Sequence, residues 1–334
     1  MINMLKENQK LIQNIFDTNV SKAPTRDGLG KGMVEVGKTD PRIVAVCADL
    51  AESTRIEWFK KEFPDRYIEV GVAEQNLAAV ASGLANYGKI PFIASYASFS
   101  PGRNNEQIRT TIALNKVPVK IAGCHAGISV GPDGATHQAL EDIGLMRMLP
   151  NMTVVVPADA EEARKATIAA AAWDGPVYLR FARSGSPVFT TPETPFQIGK
   201  AEIVWESTEA QVALIACGSL LHTALVAAKR LQEEGIGTVV INNHTIKPLD
   251  TATIIDAAKR CNALVTIEEH QIAGGMGSAI AEMLSRTYPV PIEFVGMHDQ
   301  FGQSGEPEEL LKYYKMDSES ITGAVKEVIK RKCI

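Results

Sequence analysis

The sequence predicts two α/β domains in tandem, the first built on a mainly parallel sheet. Three observations predict it. Short β-branched runs alternate with Ala-rich runs of helical length along the 334 residues. Most of the β-branched runs are continuously apolar, as strands covered by helices on both faces must be. The rhythm breaks once, at 184–200, where S-G-S-P-V-F-T-T-P-E-T-P-F-Q-I-G-K holds three prolines, too many for a central strand or a helix interior. That segment reads as a linker and divides the chain into domains at 1–190 and 191–334.

The chain opens with M-I-N-M-L-K-E-N-Q-K-L-I-Q-N-I-F-D, which predicts an amphipathic helix carrying acids, not a signal peptide with an apolar centre. Strands are expected at 42–50 (R-I-V-A-V-C-A-D-L), 67–72 (Y-I-E-V-G-V), 90–96 (I-P-F-I-A-S-Y), 117–123 (V-P-V-K-I-A-G) and 152–157 (M-T-V-V-V-P), with Y-L-R-F-A-R (178–183) as the last of the set. Helices fall between them at 74–87, 103–115, 138–148 and 159–173. Beyond the linker the same alternation resumes. It gives strands at 212–218, 238–242 and 263–269, and helices at 219–234, at 250–260 and after G-G-M-G (274–277).

Composition narrows the functional classes. Apolar residues make up 45% and charged residues 22%, ordinary for a globular chain. A net charge of -5 gives no basis for binding nucleic acid or an anionic membrane. No apolar run approaches the roughly 18 residues that a membrane span needs. The five cysteines, Cys47, Cys124, Cys217, Cys261 and Cys333, are odd in number and never spaced C-x-x-C. They read as reduced thiols in a cytoplasmic protein, not as disulfides or a zinc site.

In a parallel sheet, ligands sit beyond the carboxyl ends of the strands. Unusual polar residues collect there. Asp49 ends the first strand with Ser53 just after it; Glu74 follows the second, Tyr96 and Phe99 the third, His125 the fourth, and Arg183 the last. A Gly-rich loop, G-I-S-V-G-P-D-G-A-T-H (127–137), carries Asp133 and His137. Each has a plain structural reading. Glu74 suits the positive end of a helix, Asp133-Gly134 is a turn dipeptide, Thr136 is a helix N-cap, and the loop matches neither common phosphate-binding fingerprint. Their convergence on one edge favours a site.

The motifs T-R (25–26), A-D-L-A-E-S (48–53), Y-I-E-V-G-V-A-E-Q-N (67–76) and C-H-A-G-I-S-V-G-P-D-G-A-T-H-Q-A-L-E-D (124–142) resemble the transketolase family. From about Arg26 to Arg183 the chain is similar to the pyrimidine-binding domain, and from about 200 to the C-terminal domain. Deoxyxylulose-phosphate synthase and the β subunits of 2-oxo-acid dehydrogenases are cousins. The resemblance implies thiamine diphosphate as cofactor, with Glu74 on its aminopyrimidine N1′, Phe99 and Tyr96 stacking on that ring, and Asp49 nearby. It implies that His125, Asp133 and His137 line the sugar channel, with Glu74, His125 and His137 catalytic. Arg26, Ser53 and Arg183 would bind the sugar phosphate. The reaction implied is transfer of a two-carbon ketol unit from a ketose phosphate to an aldose phosphate. S-P-G-R-N-N-E-Q-I-R (100–109) is one residue longer than the family pattern.

No G-D-G followed by an asparagine pair, the family's Mg²⁺-binding signature, occurs in the sequence. The resemblance therefore implies one half of a split transketolase. A separate N-terminal subunit would hold the diphosphate and Mg²⁺, giving an α2β2 assembly. E-E-H (268–270), G-G-M-G (274–277) and H-D-Q-F-G (298–302) assemble into no recognisable site, so the second domain is expected to serve dimerisation. The enzymatic rival is a β-type subunit of a 2-oxo-acid-decarboxylating or deoxyxylulose-phosphate-synthase-like thiamine enzyme, and the rival from another class is a non-catalytic assembly module.

Overall fold

A computed structural model describes residues 4–332. The first unit comprises β1 (Lys22–Ala23), α1 (Thr25–Thr39), β2 (Ile43–Cys47), α2 (Ile56–Glu62), β3 (Tyr67–Glu69), α3 (Glu74–Asn86), β4 (Ile90–Tyr96), α4 (Asn105–Gln107), β5 (Lys120–Cys124), α5 (Asp142–Arg147), β6 (Thr153–Val155), α6 (Ala160–Ala172), β7 (Val177–Arg180) and β8 (Ser186–Pro187). The second comprises β9 (Glu202–Glu206), β10 (Ala210–Ala216), α7 (Leu220–Glu233), β11 (Gly237–Asn242), β12 (Thr245–Lys247), α8 (Thr251–Cys261), β13 (Leu264–Gln271), α9 (Met276–Leu284), β14 (Ile292–Met297), α10 (Pro307–Tyr313) and α11 (Ser318–Lys332).

Two sheets organise these elements. The first has the order β12-β6-β7-β5-β4-β2-β3 and is parallel except where β12 joins it. The second has the order β14-β13-β10-β11-β9 and is parallel except at the β9 edge. The continuous apolar runs are explained by burial on both faces. Val46, Ile93, Ile121 and Val154 pack to one side of the first sheet, while Ala45, Phe92, Ala122 and Val155 pack to the other. The first of these clusters continues through Met146, Met152 and Ile246 to Ile215, Ile254 and Met276, so the two units share one core. The loan of β12 to the first sheet, with Thr245 opposite Val155, ties them further.

Several sequence expectations are corrected. Residues 1–3 of the expected N-terminal helix lie outside the described residues. From 4 to 17 the only helical turn is the short 3-10 turn Glu7–Gln9. This segment instead straps the edge of β9. Lys6 donates its backbone N–H to Val204, and Glu206 donates to Met4. Edge pairing and burial of Ile15 outweigh the helical pattern. The helix expected at 103–115 is a single α turn followed by a π-helix, Ile108–Ala113. The helix expected at 138–148 begins only at Asp142, and Thr136 caps nothing: its hydroxyl pairs with His137 Nδ1 at 2.8 Å. The strand expected to close on Arg183 ends at Arg180, and those expected at 42–50 and 67–72 end at Cys47 and Glu69. In the linker, Ser186 and Pro187 pair antiparallel with Ala23 and Lys22. Cys47, Cys124, Cys217 and Cys261 are buried and free, and Cys333 lies outside the described residues.

The sequence reading left α1 unassigned. Its glycines discourage a helix on propensity alone. Packing explains them: a Cβ on Gly28 would lie 2.2 Å from the Ala160 carbonyl of α6, and one on Gly32 would lie 2.7 Å from Thr167. Bare backbone lets α1 approach α6 closely, and that contact sets where Arg26, in the first turn of α1, presents its side chain.

Candidate active site

The carboxyl ends of β2, β4 and β5 are neighbours in one parallel sheet, and α3 begins just beyond β3. Glu74 is the first residue of α3 and is 1% exposed. Its oxygen Oε2 accepts from Arg103 Nη1 at 2.6 Å, and its backbone carbonyl accepts from Asn104 Nδ2 at 2.9 Å. The helix N-terminus favours the negative charge. The Arg103 guanidinium, half-exposed, also lies 4.8 Å over the Phe99 ring. One guanidinium therefore bonds the carboxylate and lies over an aromatic face.

Phe99 begins a stack of rings. It lies parallel to Tyr96 at 5.9 Å, and Tyr96 lies parallel to the His125 imidazole at 3.8 Å. His137 meets Tyr96 and Phe99 edge-on at 5.9 and 5.4 Å. Aromatic pairs of this kind contribute about 0.5–1.5 kcal/mol each beyond area burial.

His125 is buried and adopts φ +55 at the end of β5. Its Nε2 is 3.1 Å from Arg26 Nη1. A guanidinium only donates, so Nε2 accepts and the ring proton resides on Nδ1. Burial first, then the nearby charges of Arg26 and Arg183, push the imidazole down to about 3, so it is neutral near pH 7. Nδ1 is buried with no hydrogen-bond partner among the described residues. Arg26 also donates to the Ser53 carbonyl at 2.7 Å, and its buried Nε has no partner among the described residues. Burial and then Arg55 lower its pKa. Arg26, Arg55 and Arg183 make this cluster locally positive, which suits an anion.

The structure thus joins Arg26, Ser53, His125, Tyr96, Phe99 and His137 through direct contacts, and joins Glu74 through Arg103. Three other expected residues share the edge less intimately. Asp49 is exposed at φ +59, and its backbone N–H donates to Glu69 Oε1 at 2.8 Å. Asp133 is exposed on the loop. Arg183 donates to the Val130 carbonyl at 2.8 Å. The sequence reading missed Arg103 and Arg55. Arg103 had a signal, since it stands four residues after Phe99 in a segment with an extra residue. Arg55, tied to Asp27 at 2.8 Å, had none. Among the described residues, no group of three or more His, Cys, Asp or Glu could hold a metal ion, and no helix is long and apolar enough to cross a membrane.

Comparison with known proteins identifies the two domains. Residues 21–187 match the transketolase pyrimidine binding domain and 199–321 the transketolase C-terminal domain. The chain belongs to the transketolase family. Within it, the chain has the domain content of the split C-terminal sections. It is 41% identical over 309 residues to the provisionally named transketolase C-terminal section of Methanocaldococcus jannaschii, covering 92% of this chain and 96% of that one. It is 37% identical over 317 residues to a 6-deoxy-6-sulfo-D-fructose transketolase subunit of Clostridium sp., covering 95% and 98%. A solved split-gene transketolase, an inactive β4 tetramer, superposes with a TM-score of 0.86 at 43% identity, covering 92% of this chain and 98% of that one. Against human transketolase the chain spans 49% of the longer protein.

Proposed function

We propose that this chain is the subunit of a split transketolase that holds the aminopyrimidine end of thiamine diphosphate and lines the sugar channel. The reaction is transfer of a two-carbon ketol unit from a ketose phosphate to an aldose phosphate. The observation that carries this reading is Glu74: a buried carboxyl at a helix N-terminus, linked through Arg103 to Phe99 and so to the stack that reaches His125 and Arg26.

The residues present fit the group. Thiamine diphosphate, when bound, supplies the carbon nucleophile and the electron sink. Glu74 would hold a proton at a ring nitrogen of the aminopyrimidine, with Arg103 giving up its oxygen. Phe99, with Tyr96 behind it, offers the flat apolar face, and Asp49 stands at the same edge. The neutral imidazole of His125 presents Nδ1–H to a substrate oxygen, with His137 across the stack as the second imidazole able to move a proton. Asp133, exposed on the channel loop, accepts from a sugar hydroxyl. Arg26 and Arg183, with Ser53, grip the anionic end of the sugar. The Clostridium relative is named for a sulfonated sugar, and an arginine pair suits sulfonate or phosphate.

A separate N-terminal subunit holds the diphosphate and Mg²⁺ in this reading, completing an α2β2 assembly in the cytoplasm. Support comes from the half-length match to human transketolase and from the split relatives. The test is direct. The chain alone, given thiamine diphosphate and Mg²⁺, is expected to show no ketol transfer between xylulose 5-phosphate and ribose 5-phosphate, and to gain it on addition of the partner. Turnover without a partner would defeat the split reading. Decarboxylation of pyruvate by the complex would favour the dehydrogenase cousins, and a complex indifferent to Glu74→Ala would favour an assembly module.

A further inference from the structure

β13 ends in the E-E-H motif, and its two acids point to different tasks. Glu268 accepts the backbone N–H groups of Met276 and Gly277 at 2.7 and 2.8 Å, capping α9 within its own unit. Glu269 crosses to the first unit. It is 5% exposed, and its Oε1 accepts the backbone N–H of Ser129, while its Oε2 is 3.4 Å from the Ser219 hydroxyl. Ser129 belongs to the loop that leaves the sheet just after His125. Gly127, at φ +90, leaves room for the carboxylate: a Cβ there would lie 2.4 Å from Oε1.

The next peptide along the loop is also held. Ser184 donates its hydroxyl to the Ser129 carbonyl, and Arg183 donates to that of Val130. The far end of the loop is fixed by the second unit again. Gln138 Nε2 donates to the Gln303 carbonyl at 3.0 Å, and Gly302 packs where a Cβ would strike Gln138 and Ile128. The loop bearing Asp133 and His137 is therefore clamped from the second unit at both ends. The three stretches for which the sequence suggested only dimerisation lie at this seam: Glu269 and Gly302 touch the loop, and Gly274 accepts from Arg147 of α5.

We propose that Glu269 is a positioning residue for the substrate loop 127–138, fixing the Ser129 peptide so that Asp133 and His137 face the sugar. It touches neither sugar nor cofactor, and Glu74 and Phe99 hang from other elements. Its loss should disturb sugar recognition and spare cofactor binding. The inference rests on the transketolase reading, and its test separates the two.

In the complex with the diphosphate-binding partner, Glu269→Ala is expected to raise the KM for the ketose phosphate about tenfold or more, because a small misplacement of binding groups is costly. Thiamine diphosphate affinity, read by circular dichroism, should move less than about twofold, since Glu74 and Phe99 stand on other elements and lose at most the edge contact of His137. Glu269→Gln keeps an oxygen for the Ser129 N–H and should restore KM, whereas Glu269→Asp, one methylene short, should not. Hydrogen exchange on the free chain adds a readout that needs no activity: peptides over 125–138 should lose protection in Glu269→Ala while α3 keeps it. Unchanged KM and unchanged protection in Glu269→Ala would overturn the proposal, as would equal loss of cofactor and sugar affinity. If Glu269→Ala does not fold, Glu269→Asp with wild-type KM overturns it. A wild-type complex without ketol transfer defeats the transketolase reading, while the exchange result still decides whether Glu269 holds the loop.

Discussion

Two arginines of the first unit have opposite surroundings. Arg180, in β7, is buried against Asp142: its Nε donates to Oδ2 at 2.7 Å and its Nη2 to Oδ1 at 3.2 Å, and Nη2 also reaches the carbonyls of Ala139 and Glu269. Tyr178 donates to the same carboxylate at 2.6 Å. Arg180 holds Asp142 below the usual carboxylate range against the upward pull of burial. Arg26, at the sheet edge, has a neutral imidazole and one carbonyl for partners and leaves Nε unpartnered. The first cluster is satisfied and structural. The second leaves Arg26 Nε and His125 Nδ1 without a hydrogen-bond partner among the described residues. Buried polar groups are normally paired, and the open atoms of Arg26 and His125 lie beside the ring stack at the strand ends, in keeping with the proposed site.

The largest effect should come from the channel side. Glu74→Gln in the reconstituted complex is expected to lower kcat about 10²–10⁴-fold, the range of a lost proton-handling group, with the melting temperature nearly unchanged. A kcat within a factor of a few of wild type would remove the reason for placing catalysis at this edge.

The comparison itself is tested by matched alanines. Asp142→Ala strands a buried guanidinium and should destabilise the chain by about 3–5 kcal/mol in urea unfolding. Arg26→Ala should cost far less stability but lower kcat/KM for a phosphorylated donor, about 1.5–3 kcal/mol for a charged hydrogen bond, and change an unphosphorylated donor little. The reverse pattern would erase the distinction between the clusters.

The smallest effect is in pH dependence. His125 is pushed down to about 3 when folded, against about 6.5 unfolded. Below pH 6.5 the unfolded chain binds a proton that the folded one refuses, so stability falls with falling pH until about 3. His125→Gln should flatten the loss between pH 6.5 and 4.5 by an amount on the order of 2 kcal/mol. Parallel curves for the two proteins would show that this imidazole is not buried neutral. His244, likewise lowered to about 3 by burial, remains in both and does not affect the difference.

Much of the edge was legible because its signals are short-range. Glu74 opens a helix directly after β3, and His125 directly follows β5, so strand ends and motif spacing place them with no knowledge of distant contacts. What stayed hidden depends on remote partners. The glycines of α1 are explained by Ala160 and Thr167, the N-terminal strap by the β9 edge, β12 by a sheet of the other unit, and Glu269 by Ser129.

By itself the sequence determined the parallel α/β layers, through the period of its apolar residues, and the chemical identity of the groups at the strand ends. Only the tertiary structure decided which of those groups touch, which ring nitrogen of His125 meets Arg26, and that the second unit grips the loop at 127–138. The physical reason is that periodicity fixes which face of an element is buried, while the partner buried against it is chosen by packing between segments far apart in the chain.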